Sequence, residues 1–500
     1  MKTEYLDRIR CASLRGRVTS AHEAARWIKD GMTVGMSGFT RAGDVKLVPA
    51  ALAERARTEP LKITLMTGAS LGNDTDKRLT EAGALARRMP FQVDPVLRAA
   101  INRGEVMYID QHLSETVEQL RSRHIAPVDV AIVEAVAITE DGAVVPTTSV
   151  GNSASFAILA DKVIVEINLA QPAGLEGLHD IWIPKKRPLR EPIPIMSADD
   201  RAGTPWIAIP PEKIVAIVLS DQPDSTSSVL PADSETTAIA GHLIRFFERE
   251  IEAGRLTKEL LPLQAGIGTI ANAVLAGFAD SPFERLTMYS EVLQDSTFDL
   301  FDAGKLDFAS GSSITLSPEK SRQVFRDFGR YRDKLVLRPQ EVSNHPEVIR
   351  RLGIIAINTA LEADIYGNIN STHVLGTHMM NGIGGSGDFA RNAYLSIFAT
   401  KATAKGGKVS SIVPMVTHVD HTEHDVDIIV TELGLADLRG LAPRERAEVI
   451  IEQCTAEPYK SMLRAYVREA QQRGGQTPHV LEQAYAWHTR YSKTGAMLEA

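Results

Sequence analysis

The chain has 500 residues, of which 44% are hydrophobic and 24% are charged, and its formal net charge at pH 7 is -8. This composition is typical of a soluble globular protein, and the acidic balance argues against sequence-wide binding to nucleic-acid phosphates. Only two cysteines occur, far apart at positions 11 and 454, so neither a disulfide framework nor a zinc ribbon is predicted.

The N-terminal segment and the apolar runs bear on localisation. The first eight residues are rich in charge and precede no apolar stretch, so they do not resemble a signal peptide. No apolar run reaches the roughly 18 to 20 residues that a membrane span needs. We therefore expect a cytoplasmic protein that binds neither membranes nor nucleic acid.

Short β-branched runs alternate with helical patterns along the chain, which predicts α/β units with buried parallel strands. Because 500 residues exceed what one hydrophobic core usually organises, we expect two domains. The predicted strands lie at residues 64–66, 128–137, 162–167, 213–219, 354–358 and 426–431.

The stretch 220–235 is rich in Ser, Asp and Pro and lies near the middle of the chain, so it predicts a boundary between domains 1–228 and 229–500. Apolar residues then repeat at four-residue spacing and predict an amphipathic helix that ends near Arg255, capped by Asp233 or Ser234. The two halves share a weak pattern of glycine spacing, which favours a duplicated domain over a chance match.

Three segments carry candidate functional residues. Residues 262–275 place a glycine turn directly before a helical pattern, where backbone N–H groups can bind a phosphate or an oxyanion. Glu291 follows a short strand-like run, and open α/β sheets bind ligands beyond the carboxyl ends of their strands. Residues 381–389 contain four glycines within six positions, which indicates a close approach to the backbone.

Each of these segments has a plain structural alternative. The turn at 262–275 lacks the full dinucleotide fingerprint and the Walker lysine, and such turns are often simple connections. Glu291 taken alone is more often a solvated glutamate at a loop or helix start. The glycines of 381–389 are compatible with a tight turn, and the basic turn 405–408 with surface lysines.

Residues 418–424 contain enough histidine and carboxylate to suggest a metal site. Their spacing matches no recognised ligand pattern, and an extended chain would separate His418 and Asp420 from His421 on opposite faces. We therefore predict no metal. The chain also lacks a G-x-S-x-G elbow and a catalytic setting for either cysteine, so serine and thiol hydrolases are not predicted.

Five motifs taken together resemble one protein family over nearly the whole chain. They are GMSGFT at 35–40, LQAGIG at 263–268, YSEVLQD at 289–295, NHPEVIRRLG at 344–353 and NGIGGSGDFARNAYLSIF at 381–398. In this order they resemble the acetyl-CoA hydrolase/transferase family of class I CoA-transferases, which includes succinyl-CoA:acetate CoA-transferases. The last two motifs are long and therefore specific.

The resemblance implies two similar open α/β domains of the NagB/RpiA-like CoA-transferase fold, shared with sugar-phosphate isomerases, with the active site between them. It implies that Glu291 is the catalytic glutamate and that Asn344 and the N–H of Gly385 stabilise the oxyanion. Two acyl-pocket residues, Ser70 and Glu432, are implied as well. The implied CoA-binding residues are Gly266, Ile267, Gly268, Thr269, Ile270, Asn381, Gly385 and Lys405.

The implied reaction is transfer of CoA between short carboxylic acids through a glutamyl-CoA thioester, with CoA as substrate and neither a metal nor another cofactor. Hydrolysis of acyl-CoA through the same glutamate is the first alternative, and a non-catalytic metabolite sensor on the same fold is a remote one. The acid remains open among acetate, propionate and succinate, since residues 218–230 contain no arginine for a dicarboxylate. Relatives suggest a homodimer.

Overall fold

The computed structural model describes residues 4–188, 190–227 and 232–499. The chain divides into two compact units, of which the first comprises Met1–Ser228, Met288–Phe298 and Asp307–Leu352. The second unit comprises Val229–Thr287, Asp299–Leu306 and Gly353–Ala500. Among the described residues, no helix is both long and apolar enough to cross a membrane.

The predicted domain boundary between residues 228 and 229 lies outside the described residues. Downstream of it, the compact units depart from a simple division into 1–228 and 229–500. Glu291, which that division assigns to the C-terminal domain, lies in the first unit. The reason is packing, because the neighbouring Val292 joins a buried apolar cluster with Phe39, Ala69 and Leu113.

The N-terminal part of the chain alternates strands with short helices. Its strands are β1 (Thr33–Met36), β2 (Ile63–Met66), β3 (Leu85–Met89), β4 (Met107–Tyr108), β5 (Val130–Ile138), β6 (Val144–Pro146), β7 (Lys162–Asn168) and β8 (Ile214–Ser220). Its helices are α1 (Ala21–Ala25), α2 (Leu47–Ala56), α3 (Thr75–Glu81), α4 (Pro95–Asn102), α5 (Thr116–Arg121) and α6 (Ser153–Leu159).

These strands form an open sheet in the order β4-β3-β2-β1-β5-β7-β8. Neighbours in this order are parallel, and β6 pairs antiparallel with β5. All nine residues of β5 are buried, as expected for a strand of a parallel sheet that is covered on both faces. The chain reverses its direction of winding between β1 and β5, which is where ligands bind in open α/β sheets.

The remaining elements follow residue 232. The helices are α7 (Ser234–Glu252), α8 (Thr269–Gly277), α9 (Asp295–Asp302), α10 (Pro318–Arg326), α11 (Gly329–Arg332), α12 (Gln340–Ser343), α13 (Pro346–Leu352), α14 (Ser386–Asn392), α15 (Pro443–Cys454), α16 (Tyr459–Arg473) and α17 (Ala486–Thr494). The strands are β9 (Leu263–Ala265), β10 (Leu286–Tyr289), β11 (Val292–Leu293), β12 (Leu306–Gly311), β13 (Ser313–Ile314), β14 (Leu335–Leu337), β15 (Ile355–Thr359), β16 (Glu362–Asp364), β17 (Ile369–Asn370), β18 (His373–Val374), β19 (His378–Met379), β20 (Leu395–Ala399), β21 (Thr403–Ala404), β22 (Val409–Ser410), β23 (Ile412–Val413), β24 (Ile428–Thr431) and β25 (Gly434–Asp437).

The second unit contains the strands β9, β15, β20, β24 and β25, which are neighbours in this order in an eight-stranded sheet. The first four are parallel to their neighbours and β25 is antiparallel to β24. The predicted amphipathic helix is α7, and Asp233 caps it by accepting a 2.8 Å hydrogen bond from the N–H of Thr236. The predicted α/β fold class with parallel sheets is therefore confirmed.

Candidate active site

Glu291 lies just beyond the carboxyl end of β10, as the sequence predicts. Its main chain is fixed, because its carbonyl oxygen accepts hydrogen bonds from the N–H groups of Ser312 (2.6 Å) and Ser313 (3.0 Å). Ser290 donates its N–H to the carbonyl of Ser310 at 2.9 Å. The glutamate is thus held between two neighbouring strand ends rather than on a solvated loop.

Glu291 is 8% exposed, and its side chain makes one hydrogen bond to the described residues, in which Asn344 Nδ2 donates to its Oε1 at 2.8 Å. Burial raises the pKa of Glu291 to about 7, and the hydrogen bond from Asn344 partly opposes that rise. In contrast, the buried Glu341 is paired with the guanidinium of Arg121 at 2.8 Å. Within the described part of the chain no cation pairs with Glu291, which leaves its carboxylate available to react.

Asn344 is fully buried and follows helix α12 directly. Two contacts hold this turn in the first unit: Gln340 Nε2 donates to the carbonyl of Leu113 at 3.1 Å, and Tyr289 Oη donates to that of Val342 at 2.8 Å. Since Tyr289 ends β10, the same contact ties the turn of Asn344 to the strand of Glu291. The amide is therefore oriented toward the carboxylate by the surrounding fold.

Ser70 lies in the same unit and is buried, with 3% of its surface exposed. Its carbonyl accepts a hydrogen bond from the N–H of Arg41 at 3.1 Å. The preceding residue, Ala69, packs in the apolar cluster that includes Val292. The first unit therefore brings three of the predicted site segments together, those of Ser70, Glu291 and Asn344.

The remaining predicted residues belong to the second unit. Strand β9 ends at Ala265, the N–H of Gly266 donates to the carbonyl of Ile357 at 2.9 Å, and α8 begins at Thr269. Gly268 has a φ of 120°, which favours glycine in the turn, and Ile267 is 41% exposed. The predicted glycine turn before a helix is present.

A cavity of about 660 Å³ in this unit brings Ile270 and Lys405 together. Lys401 and Thr400 also line this cavity. Glu432 follows β24, and its Oε2 accepts a hydrogen bond from the N–H of Ala402 at 2.8 Å. Ala402 lies between Lys401 and Thr403, which both line the cavity. Glu432 thus holds the backbone next to the cavity.

Asn381 and Gly385 flank the turn before α14. The Oδ1 of Asn381 is buried and has no hydrogen-bond partner among the residues that the structure describes, which is costly unless a ligand donor meets it. Ser386 Oγ donates to the carbonyl of Ile383 at 2.7 Å and lies 3.0 Å from His421 Nε2, so the turn is fixed on its other side. The pairing of Gly385 with Asn344 at an oxyanion stays a prediction.

The histidine-rich segment 418–424 has structural contacts. His418 Nε2 lies 3.3 Å from Asp420 Oδ1 and its ring stacks on that of His373, with centroids 3.9 Å apart. His421 instead packs against Phe398. No group of three metal-ligating side chains occurs among the residues that the structure describes.

No sequence pattern predicted the residues that support Asn344. Glu341 accepts hydrogen bonds from Ser155 Oγ at 2.6 Å and from Arg121, and it lies only three residues before Asn344. The local pattern that could have indicated this support is the pair Gln340-Glu341 shortly before Asn344. Such pairs are too common to predict a function without the fold.

If Glu291 is the nucleophile that the family resemblance implies, the rate of CoA transfer at low substrate should depend on its protonation. Because burial raises its pKa to about 7 and only the carboxylate can attack a carbonyl, kcat/KM for the acyl-CoA should rise with pH through about 7 and level off above it. A pH series with one acyl-CoA measures this. A profile flat from pH 5 to 9 would contradict a buried carboxylate nucleophile.

Comparison with protein families gives two matches. The acetyl-CoA hydrolase/transferase N-terminal domain matches residues 6–219, and the acetyl-CoA hydrolase/transferase C-terminal domain matches residues 321–467. Among solved structures, RipA from Yersinia pestis aligns with a TM-score of 0.72 and 22% identity, covering 91% of this chain and 97% of that one. At this identity the structural likeness concerns the fold alone.

Three curated relatives match over nearly the full length. Succinyl-CoA:acetate CoA-transferase of Clostridium kluyveri is 53% identical, with 98% of this chain and 92% of the relative covered. Acetyl-CoA hydrolase of Schizosaccharomyces pombe is 46% identical, with 96% of each chain covered. Propanoyl-CoA:succinate CoA transferase of Escherichia coli is 44% identical, with 96% of this chain and 98% of the relative covered.

Proposed function

Because this chain belongs to the acetyl-CoA hydrolase/transferase family, we propose that it is an acyl-CoA:carboxylate CoA-transferase that works by a ping-pong route through a glutamyl-CoA thioester on Glu291. One observation carries the proposal. Glu291 is buried, pairs with no cation within the described residues and accepts a hydrogen bond from Asn344. The hydrogen bond fixes the carboxylate in position but stabilises its negative charge only weakly. The carboxylate therefore keeps the reactivity that a nucleophile needs.

The first half-reaction has two attacks. The Glu291 carboxylate attacks the thioester carbonyl, the C–S bond breaks, and CoA leaves as a thiolate from a mixed acyl-glutamyl anhydride. The thiolate then attacks the Glu291 carbonyl carbon, and the anhydride C–O bond breaks to release the donor acid as its carboxylate. Glutamyl-CoA remains, and an incoming carboxylate reverses the sequence. One anion replaces another at every step, so no proton or electron is supplied from outside.

Both attacks form tetrahedral oxyanions. Asn344 Nδ2 already donates to the Glu291 carboxylate, so it is in place to stabilise negative charge on the oxygen of the glutamyl carbonyl. The N–H of Gly385 is proposed as the second donor. Fixed donors help most here because they need no reorganisation when the charge develops.

The CoA moiety is proposed to bind to the second unit. Support comes from the glycine turn Gly266 to Ile270, from the buried acceptor of Asn381, and from the cavity that Ile270 shares with Lys405. The unpartnered Oδ1 of Asn381 suits an amide N–H of the pantetheine arm. Ser70 and Glu432 are proposed to shape the acyl pocket.

Acetate, propionate and succinate are the proposed acids, since the relatives carry succinyl-CoA:acetate and propanoyl-CoA:succinate in their names. Residues 218–230 supply no arginine for a second carboxylate, which favours the monocarboxylates as acceptors. A homodimer is proposed on the same resemblance, and a cytoplasmic location is proposed from the sequence patterns described above.

Hydrolysis is the second candidate function, because a curated relative at 46% identity is named an acetyl-CoA hydrolase. Water attacking glutamyl-CoA in place of a carboxylate would release free CoA and restore Glu291. The two activities therefore share the first half-reaction and differ only in the nucleophile that enters second.

The test is a partition assay on the purified protein. With propionyl-CoA or succinyl-CoA as donor and acetate as acceptor, we expect new acetyl-CoA to exceed free CoA at least tenfold. Chromatography of both products over time, with and without acetate, measures the ratio. Free CoA as the main product at saturating acetate would assign the chain to hydrolysis, and binding without either product would leave only a sensor.

A further inference from the structure

The hairpin of β21 and β22 presents a basic turn, Lys405 to Lys408, beside the cavity of about 660 Å³. Lys405 has a φ of 52°, and Gly406 and Gly407 follow with φ of 65° and 85°. The left-handed region disfavours a residue with a Cβ, and Lys405 alone among the three positive-φ residues of this turn carries a side chain.

The ammonium of Lys405 is held by Tyr491 of helix α17. Lys405 Nζ donates a hydrogen bond to Tyr491 Oη and lies 4.8 Å from the centroid of the tyrosine ring. Lys401, which lines the same cavity, is instead paired with Asp233 and Glu235, each at 2.5 Å. Among the described residues no carboxylate pairs with Lys405.

This difference in partners matters electrostatically. A carboxylate would fix the ammonium but neutralise it, whereas the phenol hydroxyl of Tyr491 fixes it and leaves its charge available to a ligand anion. Holding the group in place before binding also removes part of the side-chain entropy that capture would cost. The pair of Lys405 and Tyr491 is thus arranged for an anion.

The C-terminal region braces the same turn at two further points. Tyr459 Oη donates to the carbonyl of Gly407 at 2.9 Å, and the N–H of Met497 donates to the carbonyl of Lys408 at 2.9 Å. The acetyl-CoA hydrolase/transferase C-terminal domain matches only residues 321–467, so α17 and the residues after it lie outside that match. The match to the family domain therefore does not include Tyr491.

We propose that Tyr491 is a positioning residue that holds the uncompensated ammonium of Lys405 for a phosphate of the CoA nucleotide. The proposal rests on the proposed function, which makes CoA the ligand of this cavity. Tyr491 does not touch the reacting atoms, so its contribution is confined to substrates that carry the nucleotide.

The test uses two substrates and four variants of the chain. For acetyl-CoA, Tyr491→Ala and Tyr491→Phe should each lower kcat/KM about tenfold, because both remove the hydroxyl that accepts the hydrogen bond from Lys405. For acetyl-pantetheine, which lacks the nucleotide and its phosphates, both variants should stay within twofold of the wild type. The double variant Tyr491→Ala/Lys405→Ala should be no worse on acetyl-CoA than Lys405→Ala alone, since the two residues act as one unit.

Two controls match the changes made. Tyr485→Ala removes a tyrosine just before α17, and Lys493→Ala removes a cation from that helix; both should leave kcat/KM for acetyl-CoA within twofold. Equal losses on both substrates, or additive losses in the double variant, would overturn the proposal. Calorimetric Kd values for free CoA test Tyr491 separately from turnover: a wild type that binds CoA tenfold more tightly than Tyr491→Ala but transfers nothing would sink the proposed reaction and keep this inference.

Discussion

The Glu291→Ala variant is expected to lose CoA transfer, with kcat/KM falling by about four orders of magnitude or more. Its carboxylate is the only group in the proposed route that forms a covalent bond to CoA, and removal of a nucleophile costs at least this much in other enzymes. Initial rates of acetyl-CoA formation measure the loss. Glu284→Ala, which removes an exposed glutamate from the same part of the chain, should keep wild-type rates.

The Glu291→Gln variant removes the negative charge of the side chain and keeps its packing. The amide is close to isosteric and can still accept the hydrogen bond of Asn344, so the variant should fold and remain inactive. Because the folded-state pKa of Glu291 is raised, ionising it costs folding stability as pH rises above the unfolded pKa near 4.5, and the full cost is reached above about 7. The glutamine variant should therefore melt higher than the wild type at pH 8 and by a smaller margin at pH 5. Near-normal activity in either variant would refute the nucleophile.

Asn344→Ala should lower kcat about 10²- to 10³-fold, the range found when one fixed oxyanion donor is removed. Loss of the amide also removes the one hydrogen bond that favours the Glu291 carboxylate, so the pH at which activity rises should shift upward. Rates for the alanine variant from pH 6 to 9 measure both effects.

Asn344→Asp sharpens the test because it keeps the shape and reverses the electrostatics. A second carboxyl group beside Glu291 should raise the glutamate pKa further, and activity should fall below that of Asn344→Ala near pH 7. If Asn344→Ala retained activity within threefold, or if aspartate were harmless, the oxyanion role of Asn344 would be wrong.

Local sequence patterns predicted much of the fold, because the structural preferences of these segments agree with the elements that they form. The apolar runs at 128–137 and 162–167 became β5 and β7, since uninterrupted β-branched residues suit strands that are buried on both faces. The cap at Asp233 and the glycine turn before α8 were also predictable, because each depends on residues within one turn of chain. The position of Glu291 beyond β10 followed from the same kind of local signal.

The long-range arrangement was not predictable in this way. Glu291 and Asn344 are 53 residues apart, and nothing local to either shows that an amide meets the carboxylate. Only the resemblance to a family linked them. The grouping of residues 307–352 with the N-terminal unit depends on packing around Val292, which periodicity does not report.

The contact between Tyr491 and Lys405 could not be predicted from local patterns either. The two residues are 86 positions apart, and Tyr491 lies beyond the family match. A tyrosine on a C-terminal helix carries no pattern of its own. Its relevance comes from the contrast between Lys405, which pairs with no carboxylate in the described part of the chain, and Lys401, which pairs with Asp233. That contrast is visible only in three dimensions.

The central claim is a covalent glutamyl-CoA thioester on Glu291, and intact-mass analysis tests it most directly. The wild type should gain the mass of CoA less water when incubated with acetyl-CoA, propionyl-CoA or succinyl-CoA without acceptor, and peptide mapping should place the adduct on Glu291. Added acetate or succinate should discharge it as new acyl-CoA, while Glu291→Ala gains nothing. Active wild-type enzyme that never carries CoA, or an adduct that persists in Glu291→Ala, would contradict the mechanism.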